Sequence, residues 1–231
     1  DALAGRQHAE RYTQALAHEV KAPLTAIRGA AELLQEDMPV EHRAKFLGNI
    51  RHESARIQKV IERLLELTSI EARKTLGQTE QINAGDLMAE AAEAVRAGYE
   101  ATGVSLVAEV GTECAFQGER FLLRQALINL LQNALDFSPR ESVVRFEVTA
   151  SAGRVMFKIS DEGPGVPAYA LPKVFDRFYS LARPGTAQKS TGIGLALVRE
   201  IAYLHSGDAT LANRPGGGAE ATLWLPLPGS S

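Results

Sequence analysis

One cysteine, Cys114, serves a chain of 231 residues. That excludes an internal disulfide and any cysteine-cluster metal site. An excess of charge is lacking too. The formal net charge is −3, so no basic field exists to hold a phosphodiester backbone, and nucleic acid is not expected as a direct partner. No apolar run approaches the roughly 20 residues that a membrane-spanning helix needs. No secretory leader opens the chain, and its first residue is Asp1 rather than Met, which fits a piece of a longer protein. Repeats and low-complexity tracts are absent. A chain of this length holds one large domain or two modest ones.

What is present is organised around His18-Glu19-Val20-Lys21-Ala22-Pro23-Leu24-Thr25. Leu16, Val20, Leu24, Ile27, Ala31 and Leu34 recur at helical spacing and make one apolar stripe. At ~100° per residue, His18 points roughly 165° from the middle of that stripe, with Ala22, Thr25 and Gly29 on the same outward face. An outward imidazole of near-neutral pKa is free to act as a nucleophile. Glu19 beside it is placed to orient the ring or take its proton. Pro23 removes a backbone donor and predicts a kink just after the histidine. Taken alone, an exposed His-Glu pair reads as solvated surface. The second half of the chain decides otherwise.

Residues 1–35 read as one long helix, 36–40 as a connection containing Pro39, and 41–69 as a second helix with Phe46, Ile50, Ile57, Ile61 and Leu64 on one face. Two such helices form an antiparallel hairpin. Pairing two hairpins into a four-helix bundle covers the half-buried stripes, so a homodimer is expected. His52-Glu53 repeats the dipeptide without the Lys-x-Pro-Leu continuation and reads as surface, as do His8, His42 and His205. The segment from Glu71 to Asn83 is polar and linker-like. Beyond it, helices are expected at 84–99, 119–137 and 192–204, and strands at 104–110, 143–150, 155–160, 209–212 and 221–227. Helices on one face of such a sheet make an α/β sandwich. The division expected is a hairpin over 1–72, a linker over 73–83 and a second domain over 84–231.

Several motifs in that second domain carry chemistry. Asn129 and Asn133 lie one helical turn apart, and two carboxamides on one face can offer hard oxygen ligands to a Mg²⁺ that also holds phosphates. Seen alone, they are ordinary surface asparagines. Asp161-Glu162-Gly163-Pro164-Gly165 follows a strand. Its carboxylate can accept from an adenine amino group while the glycines let the backbone pass close to the base. No G-x-G-x-x-G opens a helix there, so it is not the dinucleotide fingerprint. Phe175-Asp176-Arg177-Phe178-Tyr179 offers aromatics that anchor by packing, ahead of a polar segment, 180–191, with the character of a lid. Thr191-Gly192-Ile193-Gly194-Leu195 opens a helix, whose first N–H groups can bind phosphate.

In this order the motifs resemble the H, N, G1, F and G2 boxes of the sensor histidine kinases of two-component systems, over nearly the whole chain. The resemblance implies an α+β fold class: an antiparallel helical hairpin forming a dimeric four-helix bundle, followed by a GHKL-type α/β sandwich ATP-binding domain. It implies ATP and Mg²⁺ as cofactors and His18 as the phosphate acceptor, assisted by Glu19. Asn133 would coordinate Mg²⁺ with Asn129 in support, and Asp161 would take adenine. Further nucleotide contacts would come from Gly163, Gly165, Phe175, Arg177, Lys189, Thr191, Gly192, Gly194 and Leu195. The phosphate would then pass to an aspartate on the receiver domain of a cognate response regulator, with Thr25, Gly29 and Ala30 as candidate contacts. The parent would carry membrane helices and a sensor domain upstream, which makes this chain the cytoplasmic part of a bacterial inner-membrane protein.

The chain departs from the family pattern in places. Asp136 stands where lysine is frequent. Ser180 follows the F-box tyrosine where arginine is common, so Arg177 or Arg183 would have to substitute. Lys189-Ser190 replaces an upstream glycine. Ala22 sits four residues after the histidine, where threonine or asparagine positions the water that dephosphorylates the regulator, so weak phosphatase activity is expected. Two other readings stay open here. An ATP-driven clamp like those of the gyrase and Hsp90 superfamily is opposed by the intact His-Glu-x-Lys-x-Pro. A non-catalytic dimeric scaffold is opposed by Asn133, Asp161, Gly192 and Gly194.

Overall fold

The structure, a computed structural model, describes residues 2–34, 38–182 and 190–227, with side chains from residue 16 onward except that of His18. The chain divides into two compact units, Asp1–Glu66 and Leu67–Ser231.

The first unit is built from α1 (Ala2–Leu33) and most of α2 (Val40–Glu71). Helix α1 runs on through Pro23. Glu19, midway along α1, lies 3.8 Å from Arg56, midway along α2, as an antiparallel hairpin requires. The apolar stripe of α1 is only partly covered. Leu16, Val20, Ile27 and Leu34 are half-buried, whereas Leu24 is 56% exposed and Ala31 is exposed. Pro23 and Ala30 are the buried pair, two turns apart on one side of the expected stripe. Ala30, expected beside the outward face, is 6% exposed and therefore packs inside rather than presenting itself to a partner. A single neighbouring helix covers one flank of an apolar stripe and leaves the other flank open.

The second unit is a two-layer α/β arrangement. Strands β2 (Ser105–Val110), β4 (Val143–Ser151), β5 (Arg154–Ser160), β7 (Ala219–Pro226) and β6 (Asp208–Asn213) form one sheet in that spatial order, with β2 parallel to β4 and every other pair antiparallel. Inward residues alternate as a half-buried strand requires: Val144, Phe146 and Val148, then Val155, Phe157 and Ile159, then Ala221, Leu223 and Leu225 are all buried. Helices α3 (Ala84–Thr102), α4 (Arg120–Phe137) and α5 (Gly194–Leu204) form the other layer, with α4 central between its neighbours and resting on β5. Leu123, Leu127, Leu130 and Leu131 of α4 are buried, each worth about 1.5–3 kcal/mol relative to exposure. Among the described residues, no helix is long and apolar enough to cross a membrane.

The expected elements of this unit are present with ends shifted by a few residues. Two strands were not expected. β1 (Glu80–Asn83), inside the polar linker-like segment, pairs antiparallel with β3 (Ala115–Gly118), apart from the main sheet. Each is only four residues long and carries a single large apolar side chain, Ile82 and Phe116, too little for an alternation to be read from the sequence. Phe116 instead meets Phe157 edge-on, with ring centroids 6.1 Å apart. The last two strands also sit in swapped order, since β7 pairs with β5 and leaves β6 at the edge.

Candidate nucleotide site and phosphate acceptor

Helix α4 is the axis of the site. Asn129, at the middle of α4 between buried Leu127 and Leu130, is 6% exposed, and its Nδ2 has no hydrogen-bond partner among the described residues. Beside it α5 begins: a Cβ placed on Gly194 would stand 3.7 Å from Asn129 Oδ1. Helix α5 starts at Ile193 without a side-chain cap. Uncapped first-turn N–H groups and an orphaned buried amide donor therefore gather in one place. A buried donor without a partner costs about 1–3 kcal/mol, and donors converging at a helix start suit an anion such as phosphate. Asn133, half-buried, lies one turn further along α4.

The far end of α4 meets the Asp161 loop. A Cβ on Gly163 would come within 2.5 Å of the Phe137 carbonyl oxygen, so only glycine fits. From Asn129 at mid-helix to Phe137 at its C-terminal end the helix rises about 12 Å, which separates a place for an anion from a place for a base. Asp161 is 7% exposed. Its Oδ1 accepts from the amides of Gly163 at 2.8 Å and Ala219 at 3.1 Å. Burial raises its pKa, against the opposing pull of those two amides and of the Arg214 charge. Tyr99 is buried behind, donating to the Leu131 carbonyl at 2.7 Å. Burial, followed by the charges of Asp161 and Asp136, holds its phenol well above the usual tyrosine range. Gly165 adopts a left-handed φ of 74°.

The aromatic motif and the glycine motif interlock. The Phe178 N–H donates to the Gly192 carbonyl at 2.8 Å. Gly192 has φ 65°, and a Cβ there would strike the Phe178 backbone at 2.5 Å. Phe178 itself takes a left-handed φ of 61°. Phe175 is half-buried under the Arg199 guanidinium, 5.3 Å from its ring centroid. Arg177 forms an ion pair with Glu71 at the end of α2. Thr191 and Leu195 are half-buried. Ser180 and Ser190 share a hydrogen bond at 3.1 Å. Arg183 and Lys189 lie outside the described residues.

In the hairpin unit, His18 lies on α1, and its side chain is outside the described set. Lys21, Ala22 and Thr25 are exposed and Gly29 is half-buried. The Thr25 hydroxyl donates to the Lys21 carbonyl at 2.8 Å. His52 and His42 are exposed, as expected, but His205 is buried, with both ring nitrogens hydrogen-bonded.

Sequence reasoning missed Asn213, Arg214 and Gly218, which brace the Asp161 loop. The Arg214 guanidinium donates to the Asp161 carbonyl at 2.8 Å. A Cβ on Gly218, at φ 82°, would fall 2.0 Å from that same oxygen. The run Gly216-Gly217-Gly218 between two strands was the available signal.

Comparison with known proteins bears on this arrangement. Residues 9–73 match the His Kinase A (phospho-acceptor) domain, and residues 118–229 match the Histidine kinase-, DNA gyrase B-, and HSP90-like ATPase family. The chain is 41% identical to Sensor protein CreC of Escherichia coli over 223 residues, 96% of this chain and 46% of the relative. The chain belongs to the sensor histidine kinase family. This kinase chain is also 31% identical to the Signal transduction histidine-protein kinase AfsQ2 of Streptomyces coelicolor, covering 97% of the chain and 43% of the relative. It spans less than half the length of these curated relatives. Its fold matches histidine kinase ThkA, solved in complex with response regulator protein TrrA, at a TM-score of 0.77 and 22% identity over 96% of this chain and 64% of that one. It also matches Acinetobacter baumannii histidine kinase AdeS at a TM-score of 0.70 and 20% identity, over 91% and 98% of the two chains.

Proposed function

We propose that this chain is the catalytic core of a two-component sensor kinase: it transfers the γ-phosphoryl group of ATP to His18 and then to an aspartate of a response regulator. The observation that carries the reading is the buried, unpartnered Asn129 amide at the middle of α4 beside the uncapped start of α5, with the buried Asp161 carboxylate in the loop that meets the C-terminal end of α4. The first place suits phosphates and the second an adenine amino group, whose N–H Asp161 would accept. Gly163, Gly165, Gly192, Gly194, Thr191 and Leu195 would line the path between, with Phe175 anchoring its wall. The Asn133 carboxamide oxygen is suited to a hard cation, and Mg²⁺ bound there would screen the charge on the phosphates. The outermost phosphate contact would come from Arg177, released from its ion pair with Glu71, or from Arg183 or Lys189.

His18 would attack the γ-phosphorus in line as ADP leaves, with Glu19 holding the imidazole in the attacking tautomer. Residues 1–72 would form the phosphotransfer hairpin, 73–83 the linker and 84–231 the ATP-binding domain. Exposed Leu24, Leu33, Leu47, Ile61 and Leu65 on the hairpin support a homodimeric four-helix bundle. The ThkA complex with TrrA supports a receiver domain as the partner. The parent protein would hold this core at the cytoplasmic side of a bacterial membrane. Incubation with γ-labelled ATP tests the reading. Acid-labile, base-stable phosphoprotein supports it, whereas steady ATP hydrolysis without labelled protein would favour an ATP-driven clamp.

A further inference from the structure

The loop Asp161–Val166 has one bond of its own, from the Gly163 N–H to Asp161 Oδ1, and is otherwise held from outside. At one end, the Asp161 N–H donates to the Ala219 carbonyl at 2.9 Å, and the Asp161 carbonyl receives the Arg214 guanidinium. At the other end, the Asn213 carboxamide spends both of its functions on one residue: Oδ1 accepts from the Val166 N–H at 2.7 Å, and Nδ2 donates to the Val166 carbonyl at 2.8 Å. Asn213 is the last residue of β6, and its side chain continues the ladder of that edge strand onto the loop as a backbone would. The hairpin that carries these groups is itself closed tightly. The Arg214 N–H donates to the Gly218 carbonyl at 3.0 Å, and the Gly217 N–H to the Arg214 carbonyl at 3.1 Å.

Such an arrangement is unusual for an exposed asparagine, whose amide is ordinarily satisfied by water. Here it sets where Gly165 runs, since a Cβ on Gly165 would stand 2.8 Å from Asn213 Oδ1. With Arg214 and Gly218 fixing the Asp161 end, the loop is pinned on both sides of Gly163 and Gly165. Those glycines let the backbone approach a base closely, and a close approach discriminates only when its position is fixed.

We propose that Asn213 and Arg214 are positioning residues that fix the Asp161–Val166 loop and thereby set the preference of the site for adenine over guanine nucleotides. The inference rests on the reading of Asp161 as the adenine acceptor. Adenine presents an amino donor to that carboxylate. Guanine presents a carbonyl at the same position, and two acceptors facing each other repel. A loop free to move relieves that repulsion and lowers the selectivity.

The test uses the full chain and measures ATP and GTP affinity by calorimetry together with amide hydrogen exchange at Val166. Asn213→Ala is expected to weaken ATP binding about three- to tenfold, the worth of roughly one neutral hydrogen bond. It should lower the ATP-to-GTP affinity ratio and speed exchange of the Val166 amide. Asn213→Asp keeps an acceptor for the Val166 N–H and should recover part of the loss. Arg214→Gln should act like Asn213→Ala, and Arg214→Lys should be milder. Should Asn213→Ala fail to fold, Asn213→Asp and Arg214→Gln carry the same comparison. Folded variants whose ATP affinity and base selectivity match the unmodified chain overturn the proposal, even if Val166 exchanges faster. Asp161→Asn run alongside separates the two claims. If it leaves ATP affinity unchanged, the adenine reading itself falls. If it weakens ATP binding while Asn213→Ala and Arg214→Gln do not, only the positioning role falls.

Discussion

The backbone N–H of Glu119 donates to Nε2 of His205 at 3.0 Å, tying the start of α4 to the residue that ends α5. The other ring nitrogen, Nδ1, lies 2.7 Å from the Ile201 carbonyl and carries the proton. The Glu119 carboxylate in turn accepts from Arg73 and from the Gly77 N–H, so the linker side of the chain is fastened to the same point. Burial alone would raise the Glu119 pKa, but Arg73, Gly77 and the neighbouring positive charges hold it below the usual carboxylate value.

This junction makes stability depend on pH. Burial lowers the His205 pKa below 6.5, against opposing contributions from Ile201 and the Glu119 charge. Protonating Nε2 would set its new proton against the Glu119 N–H, donor against donor. Because the unfolded histidine takes up its proton first as pH falls, stability is complete above about pH 6.5 and declines below it. Thermal melts between pH 7.5 and 5.5 should show the decline, and His205→Gln should flatten it. An equal slope in both proteins would assign the effect elsewhere.

Asp161→Asn separates function from stability. The folded pKa of Asp161 is raised, so the folded chain holds a proton more tightly than the unfolded one does. Ionisation at neutral pH therefore works against the fold. Asparagine retains an oxygen for the Gly163 and Ala219 amides but carries no charge. The variant should melt at or above the temperature of the unmodified chain while ATP binding weakens by roughly one to two decades, the loss of a charged hydrogen bond. Asn133→Ala should chiefly reduce the Mg²⁺-dependent part of binding. Calorimetry with and without Mg²⁺ checks both, and unchanged ATP affinity in Asp161→Asn would remove its adenine role.

Gly218 and Gly216 offer a matched pair. A Cβ on Gly218 meets the Asp161 carbonyl, and its φ of 82° disfavours any other residue, whereas a Cβ on Gly216 meets nothing within 4 Å. Gly218→Ala should destabilise the second unit by at least about 2 kcal/mol. Gly216→Ala should stay within about 0.5 kcal/mol. Urea unfolding of the two variants reads the difference.

Much of this was legible in the sequence because it was written in periodicity and in contiguous motifs. The leucines of α4 and the boxes at Asn129, Asp161, Phe175 and Gly192 each occupy one short stretch, whereas the stripe expected on α1 leaves Leu24 and Ala31 exposed and buries Pro23 and Ala30 instead. The structure adds what only tertiary contact supplies. β1 and β3 are too short to show a pattern, and Ile82 and Phe116 announce burial only once paired. Asn213 and Arg214 act on a loop some 50 residues upstream, a distance no local pattern spans. His205 reads as surface until Glu119 is folded against it. The ion pair of Arg177 with Glu71 joins residues more than a hundred positions apart and had no local signal either.

Ala22 bears on the opposing reaction, hydrolysis of the regulator's phosphoryl group by water. It is exposed on α1, one turn beyond His18, and its methyl group cannot hold a water molecule. Thr25, the nearest hydroxyl on that face, already donates to the Lys21 carbonyl. Dephosphorylation of a phosphorylated receiver domain by the unmodified chain with ADP should therefore be slow, and Ala22→Thr should accelerate it while leaving autophosphorylation largely intact. Rapid dephosphorylation by the unmodified chain would refute this account of Ala22.

The central claim is phosphoryl transfer from ATP to His18, and the measurement closest to it is the site of label. The chain is incubated with γ-labelled ATP and Mg²⁺, and the labelled residue is mapped by mass spectrometry, with His18→Gln and His52→Gln as companions. Label is expected on His18, none in His18→Gln despite intact ATP binding, and normal labelling in His52→Gln. Label that persists in His18→Gln, or that maps to another residue, would contradict it.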